Sequence, residues 1–134
     1  MDEKLSVELS DLLTRFTELQ KRYAWCREEV LRQERLTQDY LHKLELKSTT
    51  YHQRAKLAAA LRRCRLTRRV CKDEANVLEP LVLFLEAEKG KMMVSQLQQV
   101  LGSVRKAERN IRDRHYTPKV MTPEEYHDSE HKED

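Results

Sequence analysis

Residues 5–30 read LSVELSDLLTRFTELQKRYAWCREEV, and apolar side chains recur through them in alternating steps of four and three. The positions are Leu5, Leu9, Leu12, Phe16, Leu19, Tyr23, Cys26 and Val30. A mean period of about 3.5 residues is that of a helix supercoiling left-handedly around another helix. Gln33 and Thr37 weaken this seam, and Leu36, Tyr40, Leu41 and Leu44 resume it on a nearby face. No Gly or Pro interrupts the chain before Leu46. The pattern predicts one helix over 4–46, roughly 60 Å long at 1.5 Å per residue. Such a helix is poorly stable by itself and needs a partner along its length. Leu5, Leu9, Leu12, Phe16, Leu19 and Tyr23 are therefore the expected oligomer seam, meeting a second copy or a partner helix.

Outward from that helix, Lys47-Ser48-Thr49-Thr50 is the first plausible break, since Ser and Thr compete for helical backbone hydrogen bonds. Thr50 with Gln53 fits a capping box. A continuous helix through 47–50 is the rival reading. A second helix is predicted over 50–78, with Leu57, Leu61, Cys64, Arg68, Cys71, Ala75 and Leu78 as its seam. Arg68 sits inside that seam and must reach an acid or extend its head to water. Glu79-Pro80 predicts a boundary, because Pro cannot donate to the preceding turn. The run 81–85, LVLFL, is the most apolar of the chain and is expected at the densest packing. Gly90 reads as a helix C-cap and turn. A last helix over 91–114 carries Met93, Leu97, Val100, Val104, Ala107 and Ile111, with Gly102 inside it as a candidate close crossing.

Composition agrees with few turns and long elements: 134 residues hold 2 Gly and 3 Pro, 37% are charged and only 6% aromatic. The fold class expected is all-α, a long helical hairpin or coiled-coil-like bundle of three main helices over 1–114. An extended, irregular acidic tail follows over 115–134, with Glu124, Glu125, Asp128, Glu130, Glu133 and Asp134. Thr122-Pro123-Glu124-Glu125 could cap one or two helical turns within it. The core is thin, so self-association or a partner is expected. No apolar stretch of about 18 residues exists to span a membrane, and the opening MDEKLSVEL lacks a signal-peptide core, so a cytoplasmic chain is expected.

The clearest functional signal is charge segregation. Between Glu45 and Asp73 there is no acidic residue. On a helix, Arg54, Arg62, Arg65, Arg69 and Lys72 share an arc of about 80°. Lys56 and Arg63 fall on a different face, about 150° from the middle of that ridge. Solvated helix faces usually mix signs, and this one does not. It therefore fits nucleic acid or an acidic protein surface, beside the plain reading of a solvated basic face. Few aromatics accompany it, so stacking on single-stranded bases has little support. The basic-zipper arrangement is also absent.

Catalytic signatures are missing: no nucleophile elbow, phosphate loop or HExxH occurs. The chain reads as no enzyme, with no cofactor. Cys64 and Cys71 stand about 10 Å apart along one helix, beyond disulfide reach, and the thiols read as small apolar residues. No CxxC or Cys/His cluster exists, and His127 and His131 share a face only if the tail is helical, so no metal is expected. Trp25, the one tryptophan, neighbours the first seam and reads as interface packing.

The run RRCRLTRRVCK (62–72), followed by LEPLVLFLE, QLQQVLGSVRKAE and YTPKV, resembles small helical proteins of uncharacterised function encoded in bacterial prophages. The likeness spans about 51–120 and contains no catalytic motif. It implies a viral or mobile-element origin and no particular activity. In that setting the nucleic-acid reading sharpens to a phage-encoded regulator or an inhibitor in the nucleic-acid channel of a host defence nuclease, for which the acidic tail, not the basic helix, would be the natural mimic. Two functions compete: a binding module that presents the ridge to nucleic acid or a nucleoprotein, and a structural coiled coil acting through its seams.

Overall fold

The computed structural model describes residues 4–131, with side chains to His127. Glu133 and Asp134 of the acidic tail lie outside the described residues, as do the side chains of Asp128, Glu130 and His131. The chain is all-α: α1 (Leu5–Leu46), α2 (Tyr51–Glu86), α3 (Glu88–Arg112) and a short α4 (Pro123–His131). α1 and α2 form an antiparallel hairpin, and α3 closes on both.

The break at 47–50 is real. Lys47 is extended, and Thr50 starts α2 through a complete capping box. Gln53 N–H donates to Thr50 Oγ1 at 3.2 Å, and Thr50 N–H donates to Gln53 Oε1 at 2.9 Å. Two orphan donors of the first turn are thereby satisfied.

Down the hairpin, the core gathers Tyr23, Cys26, Cys71, Ala75 and Val82, with Val30 and Leu78 against them. Its small side chains let the two helices approach closely. Two ion pairs align the helices. Arg22 forks onto Glu74, with Nε–Oε1 at 2.6 Å and Nη2–Oε2 at 2.8 Å. Arg68, the charge inside the α2 seam, reaches Glu34 at 2.9 Å. Gln33 and Thr37 do not interrupt the α1 seam; both are buried within it. Gln33 Nε2 donates to Glu29, and Thr37 Oγ1 donates to the Gln33 carbonyl, so neither buried polar group lacks a partner. Leu41, expected to carry the seam, is 43% exposed instead.

Pro80 is not a boundary; α2 runs through it to Glu86. The missing N–H leaves the Asn76 carbonyl without its helical donor, but Asn76 and Pro80 are both exposed and water can serve it. An interior Pro costs about 3 kcal/mol. Val82 and Leu85, buried just beyond, each contribute about 1.5–3 kcal/mol and offset that loss. The apolar run is only partly interior, since Leu83 and Phe84 remain 54% and 43% exposed.

The corner falls at Ala87, whose extended backbone ends α2 and starts α3. Gly90 is therefore no C-cap. It lies in the first turn of α3, is buried, and has no left-handed backbone. Its role is space: a Cβ there would meet the Phe84 carbonyl oxygen at 1.8 Å and Leu85 Cα at 2.8 Å. Gly102, the expected close crossing, faces nothing within 4 Å. At the far end of α3, Glu108 accepts from Ser6 N–H at 3.4 Å. Lys4 offers no side-chain cap, so this distant carboxylate serves the α1 N-terminus.

The tail is not wholly irregular. Thr122 Oγ1 caps α4 by accepting from Glu125 N–H at 3.2 Å, and the Tyr116 and Tyr126 rings stack 5.8 Å apart. Among the described residues, the α4 backbone comes against none of the long helices.

The two glycines should respond oppositely to Ala. Gly90→Ala forces α2 and α3 apart and should destabilise by about 1–3 kcal/mol net of the gain in helix propensity. Gly102→Ala should stabilise by up to about 1 kcal/mol. Urea unfolding followed by circular dichroism reads both; equal effects would contradict the Gly90 corner. A second expectation concerns acid. The Arg22 fork holds the Glu74 carboxyl below its ordinary range. Its stabilisation is therefore present above the unfolded value of about 4.3 and is lost as pH falls through the depressed folded value. Glu74→Gln should be less stable than the parent at pH 7, and the gap should close towards pH 2. A gap that stays constant with pH would remove Glu74 from the acid transition.

Candidate polyanion-binding face

α2 meets α1 through Leu57, Ala60, Cys64, Cys71 and Ala75, all buried. With that stripe turned inward, the neighbouring arc faces water. Arg54, Arg62, Arg65, Arg69 and Lys72 are all exposed. From Arg54 to Lys72 the ridge runs about 27 Å. Among the described residues, no carboxylate is within ion-pair distance of these side chains. Two acids at the helix pair are engaged elsewhere, Glu74 with Arg22 and Glu34 with Arg68, and Asp73, beside Lys72 at the edge of the ridge, is in no ion pair among the described residues. The ridge is therefore predominantly positive, with Asp73 as the one acid at its end.

α1 widens this face in a way the sequence pattern does not reveal. Arg35 lines a shallow groove with Arg65, and Arg27 lines another with Lys72. Arg27 also donates to Tyr23 Oη at 3.3 Å, which holds its head at the groove edge. Finding these residues requires knowing how α1 and α2 align, and that alignment rests on the two ion pairs. Arg68, although central to the basic run, points into the helix pair and not onto the face.

An open cavity of about 800 Å³ lies elsewhere, at the loop end of the hairpin. Lys43 and Lys47 line it from α1 and its C-cap, and Lys56 and Arg63 from α2, over a floor containing Leu57 and Ala60. Lys56 and Arg63 are thus on a separate face from the ridge, as the helical arc indicates, but that face is a second cationic locus. A third is small: Arg105, Arg109 and Arg112 of α3 gather with Lys4 around a cavity of about 370 Å³.

Trp25 packs at no helix interface. Its ring is 47% exposed, and the Arg22 guanidinium lies 4.5 Å from the ring centroid. It covers the outer side of the Arg22–Glu74 fork. Cys26, Cys64 and Cys71 are buried free thiols, and burial pushes those of Cys26 and Cys71 up, away from the reactive thiolate. Among the described residues no group of His, Cys, Asp or Glu could hold a metal ion. None of the helices is long and apolar enough to cross a membrane among those residues.

The expected oligomer seam divides. Tyr23 is buried within the hairpin core, and Leu9, Phe16 and Leu19 are half-buried inside the chain. Leu5 and Leu12 stay 50% and 43% exposed. The cover that the first helix was expected to need from outside is largely supplied by α2 and α3. The chain matches no protein-family model, no curated protein and no solved structure, so the likeness to prophage-encoded helical proteins has no matched relative beside it.

Proposed function

We propose that this chain is a non-enzymatic helical binding protein whose α2 ridge grips the phosphate backbone of nucleic acid, bare or within a nucleoprotein. The observation that carries this reading is the arc of exposed cations Arg54, Arg62, Arg65, Arg69 and Lys72, in no ion pair among the described residues, on a helix backed by α1. Guanidinium groups give two-pronged bonds to phosphate, and four of the five ridge residues are Arg. A ridge of about 27 Å spans roughly eight base pairs at 3.4 Å per step. Phosphate contacts of this kind supply affinity and little sequence preference.

A second reading, self-association, has its own observation. The chain exposes 11181 Å², whereas a compact 16.0 kDa monomer exposes about 7,400 Å². Elongation explains part of the surplus. Large apolar side chains lie within it, among them Leu5, Leu12, Leu83, Phe84 and Met92 at 43–55% exposure. A standard interface needs only about 800 Å² per partner.

For the ridge, binding to short duplex DNA is measured against salt. Changing Arg62, Arg65, Arg69 and Lys72 together to Glu should abolish binding and leave helix content intact, since Glu and Arg have similar helix propensity. Each single change should lower the salt slope by about one. Lys89 and Lys106, exposed on α3, serve as the control pair; if their change to Glu weakens binding as much as two ridge changes do, the ridge has no special role. For self-association, Leu5→Asp with Leu12→Asp, both at exposed seam positions, should dissolve the dimer in sedimentation, whereas a parent chain that stays monomeric at micromolar concentration ends that reading.

A further inference from the structure

The cavity at the loop end of the hairpin combines two chemistries. Lys43, Lys47, Lys56 and Arg63 supply positive charge at its walls, and among the described residues none of these is in an ion pair. Asp39 is the sole carboxylate lining it. Leu57 and Ala60 give it an apolar floor, and half-buried Tyr40 adds a ring. At about 800 Å³ it is large enough for several side chains and not for a simple ion. Its complement is an acidic segment with an apolar edge.

The chain carries such a segment. Residues 115–134 place Glu124 and Glu125 in the first turn of α4. Val120 beside them is 96% exposed and Met121 is 47% exposed. The Thr122 cap and the stacked Tyr116 and Tyr126 rings give the segment a shape of its own. Among the described residues, the α4 backbone makes no close approach to the three long helices.

The segment cannot reach the cavity of its own chain while α4 stays folded. α3 ends beside the α1 N-terminus, where Glu108 holds Ser6. From Ser6 to Asp39, the near edge of the cavity, α1 rises about 50 Å. Residues 113–124 span at most about 40 Å when fully extended. In an antiparallel pair of chains, the tail end of each copy lies opposite the loop end of the other. A two-fold pair would then satisfy both cavities at once.

We propose that this cavity receives the acidic C-terminal segment of a second copy of the chain, Glu124 and Glu125 meeting Lys56 and Arg63. The proposal rests on the self-association reading. It leaves the ridge, on the other side of α2, open to its own ligand.

Charge exchange between full-length chains tests it by sedimentation at low salt, where such contacts are least screened. One variant carries Lys56→Glu and Arg63→Glu; the other carries Glu124→Lys and Glu125→Lys. Each alone should weaken dimerisation roughly tenfold or more, because like charges then meet at both seats. An equimolar mixture should restore the dimer, since each copy then meets its opposite. Lys56→Gln with Arg63→Gln repeats the loss without reversed charge, and circular dichroism verifies the fold of every variant. A parent chain that is monomeric fails the self-association reading and this inference with it. A parent dimer unchanged by either variant fails the inference alone. Rescue in one chain carrying all four changes, but not in the mixture, places the contact within a single chain and overturns the exchange. Loss of duplex DNA binding by Lys56→Glu with Arg63→Glu, with dimerisation untouched, assigns the cavity to phosphate and also overturns it.

Discussion

The antiparallel contact between α1 and α2 is the constraint from which the rest follows. Neither helix, 42 and 36 residues long, holds itself together in water by propensity alone. Each exists because the other covers its seam. The cover is thin: cysteines, alanines and one buried valine do most of the filling, so the helices lie close and little area is removed from water per residue. A core of that kind leaves only small openings in its middle, such as the one between Tyr23, Val30 and Ala75. A cavity of about 800 Å³ opens at the loop end, and smaller ones lie along the pair and where α3 crosses the α1 N-terminus. Chemistry is therefore displaced to faces and ends, and the surface charge pattern decides what those can bind.

That pattern is produced by pairing as much as by composition. Acids are plentiful, at 23 against 26 Lys and Arg over the whole chain. Few of them serve the ridge: Glu34 and Glu74 are drawn across the helix interface to Arg68 and Arg22, which leaves Asp73 at its end. The same two bonds that join the helices thus withhold two acids from α2's outer arc. A C-terminal segment bearing Glu124 and Glu125 coexists with it in one molecule, so any contact of the ridge with an external polyanion is made in the presence of the chain's own carboxylates. Both are screened over about 8–10 Å at ordinary salt.

Most of the fold was legible in the sequence, and the misreadings have a common cause. The period of the seam revealed α1 from Leu5 onward, and the Thr50–Gln53 spacing revealed the cap, because both depend on neighbours within one turn. Pro80 misled because a local rule disfavours it, while packing of Val82 and Leu85 one turn later outweighs the rule. Gly90 misled in the same way: its residue type suggests freedom of the backbone, but what matters is the Phe84 carbonyl at the corner. Gln33 and Thr37 look like gaps in an apolar stripe, yet each carries its own hydrogen bond and can be buried. For the face, the ridge of α2 was legible because it lies on a single helix. Arg27 and Arg35 were not, because they join it only through tertiary alignment. The cavity was illegible for the same reason, and Lys56 and Arg63 seemed merely to be on another side.

The two interhelical ion pairs have a consequence apart from cohesion. A heptad seam of Leu, Ala and Cys is nearly indifferent to sliding by seven residues, because apolar side chains meet apolar side chains again. The charges are not indifferent. Slide α2 one heptad in one direction and Arg68 stands level with Leu41, and Arg22 with Leu81. Slide it the other way and Arg68 meets Arg27, and Arg22 meets Thr67. Either slip strands a half-buried guanidinium without a carboxylate, which is far more costly than the exposed pair is favourable. Arg22–Glu74 and Arg68–Glu34 act as indexing pins: they contribute modestly to the depth of the native state and strongly to the height of its slipped competitors.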